Sequence, residues 1–419
     1  MRDSPWENNQ FVTIPRDLEE VLEFGFLQEG WKEIEHPEII SAKNRISSVE
    51  SASEWELRKK ITNPYEAVFS GEDGTFPSLA KVQPLSRSYF KMIEMLEHSG
   101  FWASKFQEPF ISAHICEGPG GFIQATMERL VATKTVTKGV YAMTLKPTKS
   151  NIPGWRRSIH FLKKYPQVQL EYGADDTGDI LKEANQKWFS ERAKGAHLFT
   201  ADGGFDFSVD YTNQEQMAFS LLLASFTIGL LTLRKGGTMI IKLFDIYGSA
   251  TQDLFLGAAL LFDRFTIYKP ATSRPCNSER YFIGVGYHGA DWSLSKKLIK
   301  HLQVARNTAP ALTATVAAEE DVTYAAQTQT QPQPQPQSLT PYRVAETAQP
   351  QSLTRLFKHT WPSYVTEMVN EQIRWQEYLQ ISSITDTLNL QKNDIHKYIL
   401  NNICLSKEWC EKFGVKYTL

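Results

Sequence analysis

Cysteine is scarce. Cys116, Cys276, Cys404 and Cys410 are the four in 419 residues, and they lie without zinc-ligand spacing. That excludes a dense disulfide scaffold and a zinc module, and it fits a reducing compartment. No charge of one sign is in excess: the formal net charge is −2, so any surface for a polyanion must be local. The opening "MRDSPWENNQ" lacks both the basic-then-apolar pattern of a secretory signal and an Arg-rich amphipathic lead. An intracellular, cytoplasmic protein is expected. One long apolar run exists, "MAFSLLLASFTIGLLTL" over residues 217–233. It has only the shortest spanning length, and "RKGG" and the strand-like "TMIIKLF" follow at once, so a buried helix feeding a strand is predicted and no membrane partner. No internal repeat and no metal-ligand cluster is evident.

What is present is enough apolar material, 42% of the chain, for a large core. Residues 1–80 mix aromatics with charge and read as an N-terminal extension; a helix over "WELRKKIT" should stop before Pro64. Residues 81–295 alternate short apolar runs ("FISAHIC", "GVYAMTL", "VQLEYG", "AHLFTADG", "GTMIIKLF", "RFTIYKP", "RYFIGVGY") with amphipathic stretches. Strands alternating with helices predict an α/β fold, a doubly wound, Rossmann-like sheet. Residues 296–352 contain a Gln/Pro/Thr tract, which reads as a linker or exposed loop because such a composition cannot bury enough apolar surface to order itself. Residues 353–419 read as a small helical C-terminal module, with Val365, Met368, Val369, Gln372 and Gln376 at helical spacing.

After the strand "FISAHIC" comes Glu117-Gly118-Pro119-Gly120-Gly121, opening a helix at Phe122. Glycines there let the backbone approach a ligand, and free N–H groups at a helix start favour a polar or anionic group. The turn is neither G-x-G-x-x-G nor G-x-x-x-x-G-K-[ST], which disfavours a dinucleotide or a nucleoside triphosphate. Four ionisable residues should share that rim, because the carboxyl ends of strands in an open α/β sheet face the ligand crevice. Lys91 lies on a helix before the first strand; "TADGGF" sets Asp202 at the end of a later strand, "MIIKLFD" sets Lys242 at the end of another, and "SRPCNSERY" sets Glu279 just before the last. A lysine inside an otherwise buried strand is costly without a purpose.

In "SRSYFK", "CEGPGGF", "GVYAMTLK", "YGADDTGDI", "ADGGF", "IIKLFD" and "SRPCNSERY" the sequence resembles the FtsJ-like S-adenosylmethionine-dependent RNA ribose 2′-O-methyltransferases, in particular the mRNA cap-1 branch. The resemblance implies a Lys-Asp-Lys-Glu catalytic tetrad of Lys91, Asp202, Lys242 and Glu279. It also implies S-adenosylmethionine held along Glu117, Gly118, Pro119, Gly120, Gly121 and Phe122, with Asp179 and Ile180 at its adenine and Asp202 nearby. The end of the second strand, "AMTLK", has no acidic residue for the cofactor ribose, and Glu117 is the candidate to replace it. The Pro/Gln tract suggests a member carried by a large DNA virus, acting at a cytoplasmic replication site or packaged in the virion, with RNA and other mRNA-capping or transcription components as partners.

Methyl transfer to a sugar hydroxyl needs a base. A lysine serves if its pKa is lowered, and Lys242 beside Lys91 would have a cationic neighbour to lower it. Arg/Lys interleaved with aromatics in "KPTKSNIPGWRR" and "HFLKKY" offers phosphate and base contacts. Three readings stay open: a cap 2′-O-methyltransferase, a ribosomal- or transfer-RNA ribose methyltransferase, and a non-catalytic binding subunit on the same scaffold.

Overall fold

The computed structural model describes residues 9–14, 37–49, 51–71, 76–103, 106–147, 154–204, 214–308 and 363–418. The Gln/Pro tract and residues 148–153 of the basic and aromatic segment lie outside the described residues. In chain order the elements are β1 (Val12–Thr13), α1 (Pro37–Asn44), α2 (Ala52–Thr62), α3 (Ser88–His98), β2 (Phe110–Ile115), α4 (Gly121–Ala132), β3 (Thr137–Met143), α5 (Ile159–Lys164) and β4 (Val168–Glu171). Then follow α6 (Glu183–Arg192), β5 (Ala196–Ala201), α7 (Gln214–Thr232), β6 (Leu233–Leu243), α8 (Ser249–Ala259), β7 (Phe262–Tyr268), β8 (Arg280–Tyr287), α9 (Ser293–Thr308), α10 (Ser363–Leu388) and α11 (Ile395–Lys412).

All seven apolar runs are strands of one sheet, with order β1-β7-β8-β6-β5-β2-β3-β4. Strands β2 to β6 pair in parallel, while β8 runs antiparallel to both β6 and β7. The reversal has a simple cause: residues 269–279 between β7 and β8 are too few to carry a crossover helix, and an antiparallel return needs none. Strand order turns between β2 and β5, so the crevice for a ligand opens there, beyond their carboxyl ends. The sheet is filled on both faces. Phe199 and Ile241 point toward α7, α8 and α9, and their neighbours Leu198 and Ile240 toward α3, α4 and α11, as strand alternation requires. Helix α7 is buried in the first layer, and no described helix is long and apolar enough to cross a membrane.

Helix α2 starts at Ser51, whose hydroxyl accepts the Glu54 N–H at 3.2 Å, and ends at Thr62 just before Asn63 and Pro64. The C-terminal helices pack on the N-terminal ones and on the sheet edge: α10 meets α1, α2 and β7, and α11 meets α2. Helix α10 puts a glutamine on successive turns. Gln372 accepts the Ile267 N–H, Gln376 donates to the Ile267 carbonyl at 2.8 Å, and Gln380 donates to the Cys276 carbonyl at 3.1 Å. Strand β1 pairs only with Phe265 and Arg264, and beyond it Gln372 and Gln376 satisfy the edge of β7 at Ile267.

Candidate active site

The glycine turn leaves β2 and enters α4 by a left-handed step at Gly120, where φ is +107°. A Cβ there would come within 3.3 Å of the Trp155 ring. At Gly121 the constraint is steric. A Cβ would lie 2.2 Å from the Ser88 hydroxyl oxygen and 2.8 Å from the Tyr89 backbone nitrogen, because the start of α3 presses against the start of α4. The glycines therefore let two helix starts and the Trp155 ring converge on one turn.

Glu117 is buried in that turn. Its Oε1 accepts the Thr200 hydroxyl; Thr200 in turn meets His114 Nδ1 at 2.7 Å, and His114 Nε2 meets Ser112 Oγ at 2.9 Å. Burial pulls the His114 pKa down to about 3, so the ring is neutral, and the chain of donors assigns its proton to Nδ1. Glu117 Oε2 has no partner although it is buried. Burial, followed by the Asp202 charge, raises the Glu117 pKa well above the ordinary carboxylate range.

The four charged residues form one cluster of two ion pairs. Lys242 Nζ lies 2.8 Å from Asp202 Oδ1 and 3.1 Å from the Asp202 carbonyl oxygen. Lys91 Nζ lies 2.5 Å from Glu279 Oε1. The Tyr281 hydroxyl joins the pairs, in contact with Asp202 Oδ1 at 2.9 Å and with Glu279 Oε1. Each of the four side chains is 12–15% exposed, so they are largely desolvated yet reachable. Register explains the meeting: Asp202 follows β5, Lys242 sits in β6 directly across from Tyr281 in β8, and Glu279 is two residues before Tyr281, on the same face.

Electrostatics departs from expectation at Lys242. Burial lowers its pKa, but Asp202 and Glu279 outweigh burial and raise it above the usual lysine value. The expected lowering by Lys91 is overruled because Lys91 is spent on Glu279. Burial pushes the Glu279 pKa up while Lys91, Lys242 and Lys269 push harder the other way, and it ends well below the usual range.

Other expected site residues are less exposed to a ligand. Phe122 is fully buried with its ring 5.9 Å from that of Tyr281, so it joins the turn to the cluster. Ile180 is buried in the core, and Asp179 Oδ1 accepts the Leu181 N–H at 2.9 Å, with its other oxygen left over. The sequence reading missed Thr200, His114, Tyr281 and Lys269. Tyr281 was within reach, since a residue two places from Glu279 at a strand start shares its side.

A model of the FtsJ-like methyltransferase family matches residues 84–287. The cap-specific mRNA (nucleoside-2′-O-)-methyltransferase 1 of Trypanosoma cruzi is 30% identical over 295 residues, 66% of this chain and 76% of that protein. The chain belongs to the FtsJ-like methyltransferase family. This FtsJ-like enzyme is also 30% identical over 246 residues to the African swine fever virus protein "Probable methyltransferase EP424R", spanning 54% of this chain and 52% of that one. The Xenopus laevis protein with the same name as the T. cruzi one is 34% identical over 186 residues, 43% of this chain and 21% of its own.

FtsJ-like methyltransferases use S-adenosylmethionine, and the turn suits it. The unpartnered Glu117 oxygen offers an acceptor to a cationic amino group, Asp179 keeps a free oxygen, and the start of α4 offers N–H groups to a carboxylate. Among the described residues, no cluster of His, Cys, Asp and Glu could hold a metal ion.

Proposed function

We propose that this methyltransferase modifies the ribose 2′-hydroxyl of RNA, at the first nucleotides of capped mRNA, with Lys91, Asp202, Lys242 and Glu279 as its catalytic residues. The observation that carries the reading is the pair of ion pairs bridged by Tyr281 beside a turn suited to the methyl donor. The curated relatives named above as cap-specific mRNA 2′-O-methyltransferases support the substrate class.

S-adenosylmethionine supplies an electrophilic methyl group on sulfur. The chain's residues then have two tasks, to place the hydroxyl oxygen in line and to take its proton. Lys242 Nζ is the acceptor once neutral; the Lys91 ammonium, held by Glu279, stabilises negative charge growing on the oxygen. Asp202 and Glu279 keep two ammonium groups together that would otherwise repel. Because Asp202 and Glu279 hold the proton on Lys242, the neutral fraction near pH 7 is small and grows about tenfold per pH unit. The rate of transfer therefore climbs across pH 7 to 9, and in Asp202→Asn the climb moves to lower pH. A flat profile in the wild type would remove Lys242 as the base.

The substrate is tested with labelled S-adenosylmethionine and two RNA oligomers that differ only in a 5′ cap. Label confined to the capped oligomer is expected. Label on both would redirect the reading to a ribosomal- or transfer-RNA type of substrate, and label on neither to a binding subunit.

A further inference from the structure

We propose that Lys269 is a positioning residue that sets Glu279 against Lys91 by clamping the loop between β7 and β8. The inference rests on the catalytic reading above. Lys269 follows the last residue of β7 and is buried. Its ammonium donates to the carbonyl oxygens of Asn277 and Glu279, each at 2.6 Å. Those two acceptors lie at the far end of the same loop, so one side chain closes residues 269–279 at the base. Its backbone N–H is tied as well, to Asn9 Oδ1 at 3.2 Å.

A buried ammonium bonded only to backbone carbonyls is a costly way to close a loop, since an amide side chain could donate without carrying a charge. The charge has a use here. The ionisable groups facing Lys269 are Glu279 and Cys276 in the loop, Arg280 at the start of β8 and Lys91 on α3. Burial first, with Arg280 and Lys91 adding to it, lowers the Lys269 pKa to about 7 against the opposing pull of Glu279. When charged, Lys269 is a third cation on Glu279, beside Lys91 and Lys242. The same side chain thus sets both where the Glu279 backbone lies and how firmly its carboxylate stays ionised. Ser273, within the clamped loop, completes the arrangement by donating to Glu279 Oε2 at 3.1 Å.

The test compares Lys269→Met, which keeps length and loses charge, with Lys269→Arg, which keeps charge. The carboxyl carbon signal of Glu279, assigned by its absence in Glu279→Gln, is followed through an acid titration in the full chain. In Lys269→Met the midpoint should rise toward that of an ordinary glutamate, and in Lys269→Arg it should stay near wild type. Turnover on capped RNA should fall at least about tenfold in Lys269→Met, with S-adenosylhomocysteine affinity within about twofold, and recover in Lys269→Arg. An unchanged Glu279 midpoint in Lys269→Met overturns the proposal. Equal losses in both variants alongside a lowered melting temperature also overturn it, because a purely structural brace would give that pattern. If wild type fails to methylate capped RNA, the substrate reading falls, and the carboxyl titration still decides this one.

Discussion

The two ion pairs at the rim are built in different ways. Asp202 and Lys242 stand at the ends of neighbouring parallel strands, where the ladder that pairs Ala201 with Ile241 already brings them together. Lys91 and Glu279 are 188 residues apart in sequence, on a helix and a loop that no ladder joins. Their meeting depends on distant parts of the chain. Glu94, one helical turn beyond Lys91, accepts the Ala271 N–H at 2.6 Å, the Tyr268 hydroxyl at 2.8 Å and the Trp409 indole N–H at 3.0 Å. Glu66, from the segment after α2, takes Arg274 of the loop and Arg87 beside α3. One half of the site is a property of the sheet, and the other is a property of how the two end regions of the chain dock on it.

The largest expected effect sharpens the first half. Lys242→Ala should lower methyl transfer about 10²- to 10⁴-fold, the range for a lost general base, while calorimetry shows S-adenosylhomocysteine bound as in wild type. Normal turnover in that variant would end the catalytic assignment. Next, Glu94→Ala would leave several buried donors without an acceptor, at about 1–3 kcal/mol each. A loss of at least ~3 kcal/mol in denaturant unfolding is expected, with activity falling alongside. If its stability matches wild type, the second half does not hang on Glu94.

Acid should attack the second half too. The Glu66 pKa is lowered to about 2 from 4.5, because Arg87 and Arg274 outweigh the burial that would raise it. A carboxylate depressed on folding stabilises above its unfolded pKa and loses that contribution as pH falls through the folded one. The melting temperature should therefore drop between pH 4.5 and 2, by an amount equivalent to about 3 kcal/mol, and Glu66→Gln should flatten that part of the curve. Trp409→Phe, which removes one bond to Glu94, should cost about 1–2 kcal/mol. The smallest effect serves as a control: Lys146 and Asp176 form an exposed pair, and Asp176→Asn, which keeps a residue suited to the left-handed backbone there (φ +60°), should change stability by less than ~0.5 kcal/mol.

The same division explains what could be read in advance. Strand ends follow from local patterning, so Asp202, Lys242 and the turn at Gly120 could be placed on one rim from apolar runs and glycines alone. Lys91 and Glu279 were placed near that rim too, but their pairing with each other was not legible, since nothing local to "SRSYFK" says which loop it faces. Lys242 was expected to have a lowered pKa, and the structure raises it, because pairing of charges is a tertiary fact that spacing does not carry. On α10 the helical spacing of Gln372 and Gln376 was visible. Their use was not, because an amide facing a strand edge looks in sequence like any polar residue on a helix.

That row of amides on α10 bears on how the protein is made. Synthesis runs from the amino end, so β7 leaves the ribosome about a hundred residues before Gln372 and Gln376 can seal its edge. Through that interval the outer edge of β7 stays uncovered at Ile267, and Glu94 lacks its indole partner. A nascent chain holds every residue of the donor cradle early, but the half of the site that holds Glu279 lacks the Trp409 bond to Glu94 until that residue emerges. Conditions that slow or truncate translation should spare the first and spoil the second.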